Sequence, residues 1–187
     1  MIGKQKRYGQ AMKDRVQATV GRQLTALVVD DHESWRRVLT EVLLALGLGP
    51  IRSAPSAEEA RAFLASQEVD MVVCDLHMPD EDGLSFVRWA RASSKPQLRN
   101  IPIILLSGEP TLSIYQRVRC CGAHYFVSKP VTVNSLAKAI MHSIRAPTSG
   151  TGQTPCAGEG DVRCPLMKSA PAVATNRADS AAQVASV

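Results

Sequence analysis

The sequence predicts an α/β fold in which a parallel sheet is covered by helices on both faces. Three observations lead there. Short, wholly apolar runs such as Met71-Val72-Val73-Cys74 are what strands buried on both faces look like. Between them lie segments whose apolar residues recur at three and four, giving five strands alternating with five helices from about Leu24 to Arg145. Gly, Pro and Asp mark the junctions. Right-handed crossovers follow from the alternation. No internal repeat is visible.

Each element has its own warrant. Leu24-Thr25-Ala26-Leu27-Val28-Val29 is a buried strand ending on Asp30-Asp31. Trp35, Val38, Leu39, Val42, Leu43 and Leu46 give Glu33 to Leu46 helical period, and Gly47 with Gly49-Pro50 stops it. Ile51 to Ala54 is a brief strand. Ser56 and Glu59 form a capping-box pattern for a second helix with Ala60, Phe63 and Leu64 inward. The third strand, Met71 to Cys74, runs into Asp75 and the turn-rich Leu76-His77-Met78-Pro79-Asp80-Glu81-Asp82-Gly83. A third helix spans about Gly83 to Ala92, followed by a polar loop, Ser93 to Asn100. Ile101 to Leu106 is the fourth strand, ending on Ser107-Gly108. Thr111 to Cys121 is a weaker helix with Leu112, Ile114, Tyr115 and Val118 as its apolar positions, closed by Gly122. His124 to Val127 is the fifth strand, leading into Ser128-Lys129-Pro130. Asn134 to Ile144 is the last helix, with Leu136, Ala137, Ile140, Met141 and Ile144 inward.

Composition bounds the function classes. The 187 residues, 45% of them hydrophobic, suffice for one core, and no apolar run approaches the length of a membrane span. Residues 1–22 carry six basic side chains against one acidic one, without the apolar stretch of a secretory signal. They read as a disordered basic arm. Residues 23–145 carry thirteen of each sign, and 146–187 are balanced and rich in Pro, Gly, Ser, Thr and Ala, a low-complexity tail. The positive charge therefore belongs to the arm. A soluble cytoplasmic protein is expected. Five cysteines, Cys74, Cys120, Cys121, Cys156 and Cys164, are too scattered for a disulfide framework or a spaced metal site.

The chemistry collects at the strand ends: Asp30-Asp31, Asp75, Ser107 and Lys129. Parallel strands put these groups on one edge of the sheet, where ligands of open α/β sheets bind. Like-charged carboxylates at about 4 Å and an effective dielectric near 20 repel by roughly 4 kcal/mol per pair. A hard divalent cation relieves this, and Mg²⁺ suits an all-oxygen set. With Lys129 as a point charge and Ser107 as a hydroxyl donor, the edge suits a phosphoryl group in transfer, with Asp75 as its nucleophile.

Val28-Val29-Asp30-Asp31, Cys74-Asp75-Leu76-His77-Met78-Pro79, Leu105-Leu106-Ser107-Gly108 and Phe126-Val127-Ser128-Lys129-Pro130 resemble the motifs of the receiver domain of bacterial two-component response regulators. They fall in that family's order over nearly all of 24–145. The resemblance implies a flavodoxin-like five-stranded parallel sheet of order 2-1-3-4-5. It implies Asp75 as phosphoacceptor, with Mg²⁺ held by Asp30, Asp31, Asp75 and the backbone carbonyl of His77. Lys129 would pair with the acceptor or its phosphate, Ser107 would bond the phosphoryl group, and Phe126 would hold the switch position. Gly83 would give the loop its turn, and Gly108 would leave access to the phosphate. His77 and Glu109 occupy positions at which family members differ in the lifetime of the phosphorylated state.

The expected partners are a sensor histidine kinase or histidine phosphotransfer protein, and a downstream target at residues 111–144. Nucleic acid is not the expected partner. The chain reads as a stand-alone, chemotaxis-regulator-like receiver, a switch with Mg²⁺-dependent self-phosphorylation and autodephosphorylation rather than an enzyme acting on other substrates. Two other roles stay open: a phosphorelay intermediate, and an adaptor whose basic arm meets nucleic acid or membrane. Haloacid-dehalogenase-type phosphatases share an aspartyl nucleophile and Mg²⁺, but need a second Asp two residues on, where this chain has His77.

Overall fold

The computed structural model describes residues 22–145 together with Gln10 and Asp14. Most of the basic arm and the whole tail, 146–187, lie outside the described residues. Five strands form one parallel sheet: β1 (Ala26–Val29), β2 (Ile51–Ala54), β3 (Met71–Asp75), β4 (Ile103–Ser107) and β5 (Tyr125–Ser128), in the order β2-β1-β3-β4-β5. The helices are α1 (Glu33–Ala45), α2 (Ala57–Ser66), α3 (Gly83–Arg91), a short α4 (Pro96–Asn100), α5 (Leu112–Cys120) and α6 (Val133–Arg145). The flavodoxin-like architecture expected from the sequence is present, strand order included.

Alternation along the strands sorts the core into two layers. Leu27, Val29, Val72, Cys74, Ile103 and Leu105 face one side, packed with Leu64 of α2, Leu84 and Val87 of α3 and Val118 of α5. Ala26, Val28, Met71, Val73, Ile104, Leu106 and Val127 face the other, against Leu39 and Leu43 of α1 and Leu136 and Ile140 of α6. The central strands β1, β3 and β4 are buried throughout, which is why they read as continuous apolar runs. β2 is an edge strand with Arg52 and Ser53 exposed.

Local chemistry sets the helix starts. The Ser56 side chain accepts from the Glu59 N–H, Asp82 from Ser85 and Thr111 from Ile114, each satisfying an otherwise orphaned first-turn donor. Gly47, at φ +90°, lets the chain leave α1 in the left-handed region. The polar stretch after α3 holds α4, absent from the sequence reading; Pro96 opens it and Leu98 is buried. Val38 and Leu112, read as members of apolar stripes, are exposed at 47% and 70%, so α1 and α5 bury narrower faces than their patterns suggest. No helix among the described residues is long and apolar enough to cross a membrane.

Two polar groups stitch the frame away from the carboxylate edge. Asp70, just before β3, accepts from the Thr25 N–H at 2.8 Å and its hydroxyl at 3.0 Å, and pairs with Arg22. Burial opposes its charge, but the Arg22 bond and the Thr25 bonds outweigh it and hold the carboxyl below its usual range. Arg22, the last residue of the arm read from sequence, thus reaches Asp70 of the domain. Arg91 donates to the carbonyls of Gly122 at 2.9 Å and Arg99 at 3.0 Å, and its Nη2 lies 3.1 Å from His124 Nδ1. The Ile103 N–H also reaches that nitrogen, at 3.3 Å. Two donors on Nδ1 leave the neutral imidazole with its proton on Nε2.

Gly83 opens α3 without unusual dihedrals. What it needs is space, since a Cβ there would lie 2.5 Å from the Asp75 carbonyl oxygen and 3.0 Å from Leu105 Cδ2. The glycine is thus set by a close backbone approach beneath the Asp75 loop, rather than by the turn expected from sequence. Gly83→Ala should cost at least about 2 kcal/mol through overpacking, more than the ~1 kcal/mol that a compatible Gly→Ala change returns through the unfolded chain. Urea unfolding would show this as a lowered midpoint at constant slope. Gly108→Ala, where a Cβ meets nothing within 4 Å, should leave the midpoint nearly unchanged.

Burial, then the charge of Arg91 and of His142, push the His124 imidazole down from 6.5 to about 4. The unfolded chain therefore binds the extra proton first. The stability from neutral His124 is complete above about pH 6.5 and is lost as pH falls towards 4, a swing of at most about 3 kcal/mol. Urea unfolding of wild type and His124→Gln at pH 7.5 and pH 4.5 would isolate it: the wild type should lose more stability on acidification than the variant.

Candidate functional site

The carboxylate edge is built by strand ends in register. Val29 pairs with Cys74, so Asp30 and Asp75 leave neighbouring strands side by side. Asp75 pairs with Leu106, and Ser107 with Ser128, placing Lys129 one residue beyond the end of β5. The Lys129 N–H donates to the Ser107 carbonyl at 2.7 Å, which anchors the β5 exit to β4. Continuing the strand alternation, Asp30, Asp75 and Lys129 share the parity of the α1/α6 layer, whereas Ser107 has the parity of the α2/α3/α5 layer. The first three meet. Ser107, fully buried, uses its hydroxyl to accept from the Glu109 N–H at 3.1 Å.

Asp30 is fully buried, and both its oxygens are engaged. Oδ1 accepts from the His32 N–H at 2.9 Å, and Oδ2 accepts from Lys129 Nζ at 3.0 Å. The same ammonium is 3.0 Å from Asp75 Oδ1. Burial raises the Asp75 carboxyl above its ordinary range and Asp30 adds to this, with Lys129 opposing both. Burial disfavours charge on Lys129, but its bonds to Asp75 and Asp30 outweigh that and raise it. The pair is held charged in a poorly solvated place, where a partner lost on one side leaves the other uncompensated.

Asp31 is half-buried at the rim. His32, unnoticed in the sequence, turns its Nδ1 to 3.0 Å from Asp31 Oδ1 and 3.7 Å from Asp30 Oδ1. Asp30, Asp31 and His32 bring one ligand atom each to within 4.8 Å of one another. Asp30 and Asp75 share the Lys129 ammonium, and Asp31 adds a third carboxylate beside Asp30. This excess of negative oxygen donors fits a hard divalent cation such as Mg²⁺. Arg36 fixes the backbone beneath them, its Nη1 donating to the carbonyls of Asp30 at 2.8 Å and Asp31 at 3.0 Å. Arg36 acts here because α1 begins just after the aspartates, so its first turn lies over the strand ends. Its signal was the helix period that follows Asp31.

His77 lies in the loop after β3 with its side chain exposed. The loop is tied by the Gly83 N–H to the Leu76 carbonyl at 2.9 Å and by Glu81 pairing with Arg61 of α2. Gly108 opens onto free space. Phe126 stands apart from the carboxylates, half-buried on the α5 side of the sheet, edge-on to Tyr115 with ring centroids 6.4 Å apart. Cys121 is buried, and burial raises its thiol.

The family model of the response regulator receiver domain matches residues 26–141. The DNA-binding transcriptional regulator NtrC of Azospirillum brasilense is 30% identical over 149 residues, covering 80% of this chain but only 30% of that protein. The protein named "Probable chemotaxis protein CheY" in Rhizobium etli is 28% identical over 122 residues, 65% of this chain and 93% of its own length. Among solved structures, the chemotaxis protein CheY4 of Vibrio cholerae superposes with a TM-score of 0.60 at 27% identity, over 65% of this chain and 99% of that one. On its strand order, the placing of its acidic edge and these matches, the chain belongs to the response regulator receiver domain family of two-component systems.

Proposed function

We propose that Asp75 accepts a phosphoryl group from a histidine kinase or a histidine phosphotransfer protein. The observation that carries this is a buried carboxylate at the end of the central strand β3, bonded to Lys129 and flanked by Asp30. An Asp75 oxygen attacks phosphorus, the P–N bond of the phosphohistidine breaks, and the leaving imidazole keeps its electron pair and takes a proton. The product is an acyl phosphate. Mg²⁺ bound by Asp30, Asp31, Asp75 and the His77 carbonyl would neutralise charge developing on the phosphoryl oxygens. Lys129 follows the new charge, and Ser107 exchanges its bond to the Glu109 N–H for one to a phosphoryl oxygen. The face formed by α5, β5 and α6, about 111–144, then reads out the state, with Phe126 moving beside Tyr115. The same chemistry serves a relay intermediate, told apart by rapid return of phosphate to a histidine phosphotransfer domain. The chain then acts as a cytoplasmic switch that catalyses its own phosphorylation and slow hydrolysis.

Incubation with acetyl phosphate should give hydroxylamine-labile phosphate on the wild type only when Mg²⁺ is present. Asp75→Asn should reduce it to background. Labelling that survives the substitution would move the acceptor elsewhere. His77 and Glu109 flank the approach of water to the acyl phosphate. His77→Asn and Glu109→Ala should each change the half-life of phosphate loss severalfold in a chase experiment; unchanged half-lives would remove both residues from the hydrolytic path.

A further inference from the structure

Lys129 has a third neighbour that neither the motifs nor the proposed phosphoryl chemistry explains. Its Nζ sits 5.1 Å from the centroid of the Trp35 ring, within the range of a cation–π contact. Trp35 lies in the first turn of α1, four residues after Asp31, and is half-buried. The Lys129 side chain is only 15% exposed. Two of the ammonium's surroundings are Asp30 Oδ2 and Asp75 Oδ1, each at 3.0 Å, and the indole face is another.

We propose that Trp35 is a positioning residue for Lys129: its ring helps hold the ammonium between Asp30 and Asp75, and so weakens the binding of a divalent cation to those carboxylates. The inference rests on the reading of Asp30, Asp31 and Asp75 as the cation site. An ion binding there takes oxygens of the two side chains that Lys129 already bridges. Two cations on shared carboxylates repel, so an entering ion weakens the ammonium's hold on at least one of them. Whatever stabilises its starting position opposes entry. A further carboxylate would hold the lysine too, but would also attract the ion. An uncharged ring holds the lysine and offers the ion no ligand, so its effect falls on one side of the competition. The sequence alone made Trp35 one apolar position in a helical stripe, whereas the structure places its face on the one residue of the cluster that is itself a cation.

The test is the Mg²⁺ dissociation constant by isothermal titration calorimetry on the full chain. The proteins are wild type, Trp35→Leu, Trp35→Phe, Lys129→Met and the double variant Trp35→Leu/Lys129→Met, each checked for folding by circular dichroism. Trp35→Leu should bind Mg²⁺ about threefold tighter or more, the size expected from losing such a contact on a partly desolvated ammonium. Trp35→Phe, which keeps a weaker ring face, should fall between. In the Lys129→Met background the Trp35 substitution should have no effect on Mg²⁺. A merely structural role would weaken Mg²⁺ binding, the opposite sign. Unchanged or weaker binding by Trp35→Leu, or equal tightening without Lys129, would overturn the proposal. Should Trp35→Leu fail to fold, Trp35→Phe against wild type, with and without Lys129, carries the same test. A wild type that binds no Mg²⁺ would instead remove the cation site itself and the inference with it, an outcome distinct from a wild type that binds while Trp35 has no influence.

Discussion

The Lys129 ammonium, 3.0 Å from both Asp30 and Asp75, is the contact on which the rest of the arrangement depends. Asp30 is fully buried and Asp75 nearly so. A carboxylate in such a place is tolerated only when it is paired and its remaining oxygen is bonded. Asp30 meets that condition through Lys129, after β5, and the His32 N–H just beyond its own strand, and Asp75 is paired by the same Lys129. The cluster thus exists only when β1, β3 and β5 are in register, although β5 is not a direct neighbour of β3. The fully buried β4 between them supplies the spacing, and its Ser107 carbonyl holds the Lys129 backbone. A sheet with a sealed core on each face is rigid enough to hold such groups in fixed relation.

Much of this could be read from the residues. The buried strands announced themselves as apolar runs because both faces are covered, and the charged residues at their ends named the site before any distance was known. Strand order was different. Periodicity shows that strands alternate with helices but not which strands are neighbours, and the order came from resemblance to a family. The short α4 went unread because five residues are too few to show a period, although Pro96 after Lys95 was a usable start signal. Val38 and Leu112 were apolar without being buried, since a helix stripe cannot tell a core position from one left exposed.

The side chains that surround the site were harder. His32 and Trp35 are ordinary in sequence, a cap-position histidine and an apolar helix residue. They matter because α1 starts just after the aspartates, so that His32 turns back onto Asp30 and Asp31 while Trp35 meets Lys129 from much further along the chain. Arg91 was missed for the same reason. On a helical wheel it is a solvated charge at the end of α3. In the fold it donates to the carbonyls of Gly122 and Arg99, past the α5 end and in α4, and to a histidine that must stay neutral.

Ser107 shows how the parity of a strand can divide a site into a part that binds and a part that transmits. Asp30, Asp75 and Lys129 have the parity of the α1/α6 layer, while Ser107 and Phe126 have that of the α5 layer. Ser107 therefore stands at the edge of the acidic cluster without entering it, and spends its hydroxyl on the Glu109 N–H. Glu109 in turn accepts from the Thr111 N–H at 2.9 Å, and Thr111 caps α5, whose Tyr115 meets Phe126. A phosphoryl oxygen that drew the Ser107 hydroxyl away would loosen the first bond of that chain. The next links lie in a short exposed loop rather than in the core, so they can shift without breaking either packed layer. On the proposed reading, the event at Asp75 reaches the far face of the sheet because one hydroxyl sits on the opposite parity from the carboxylate it serves.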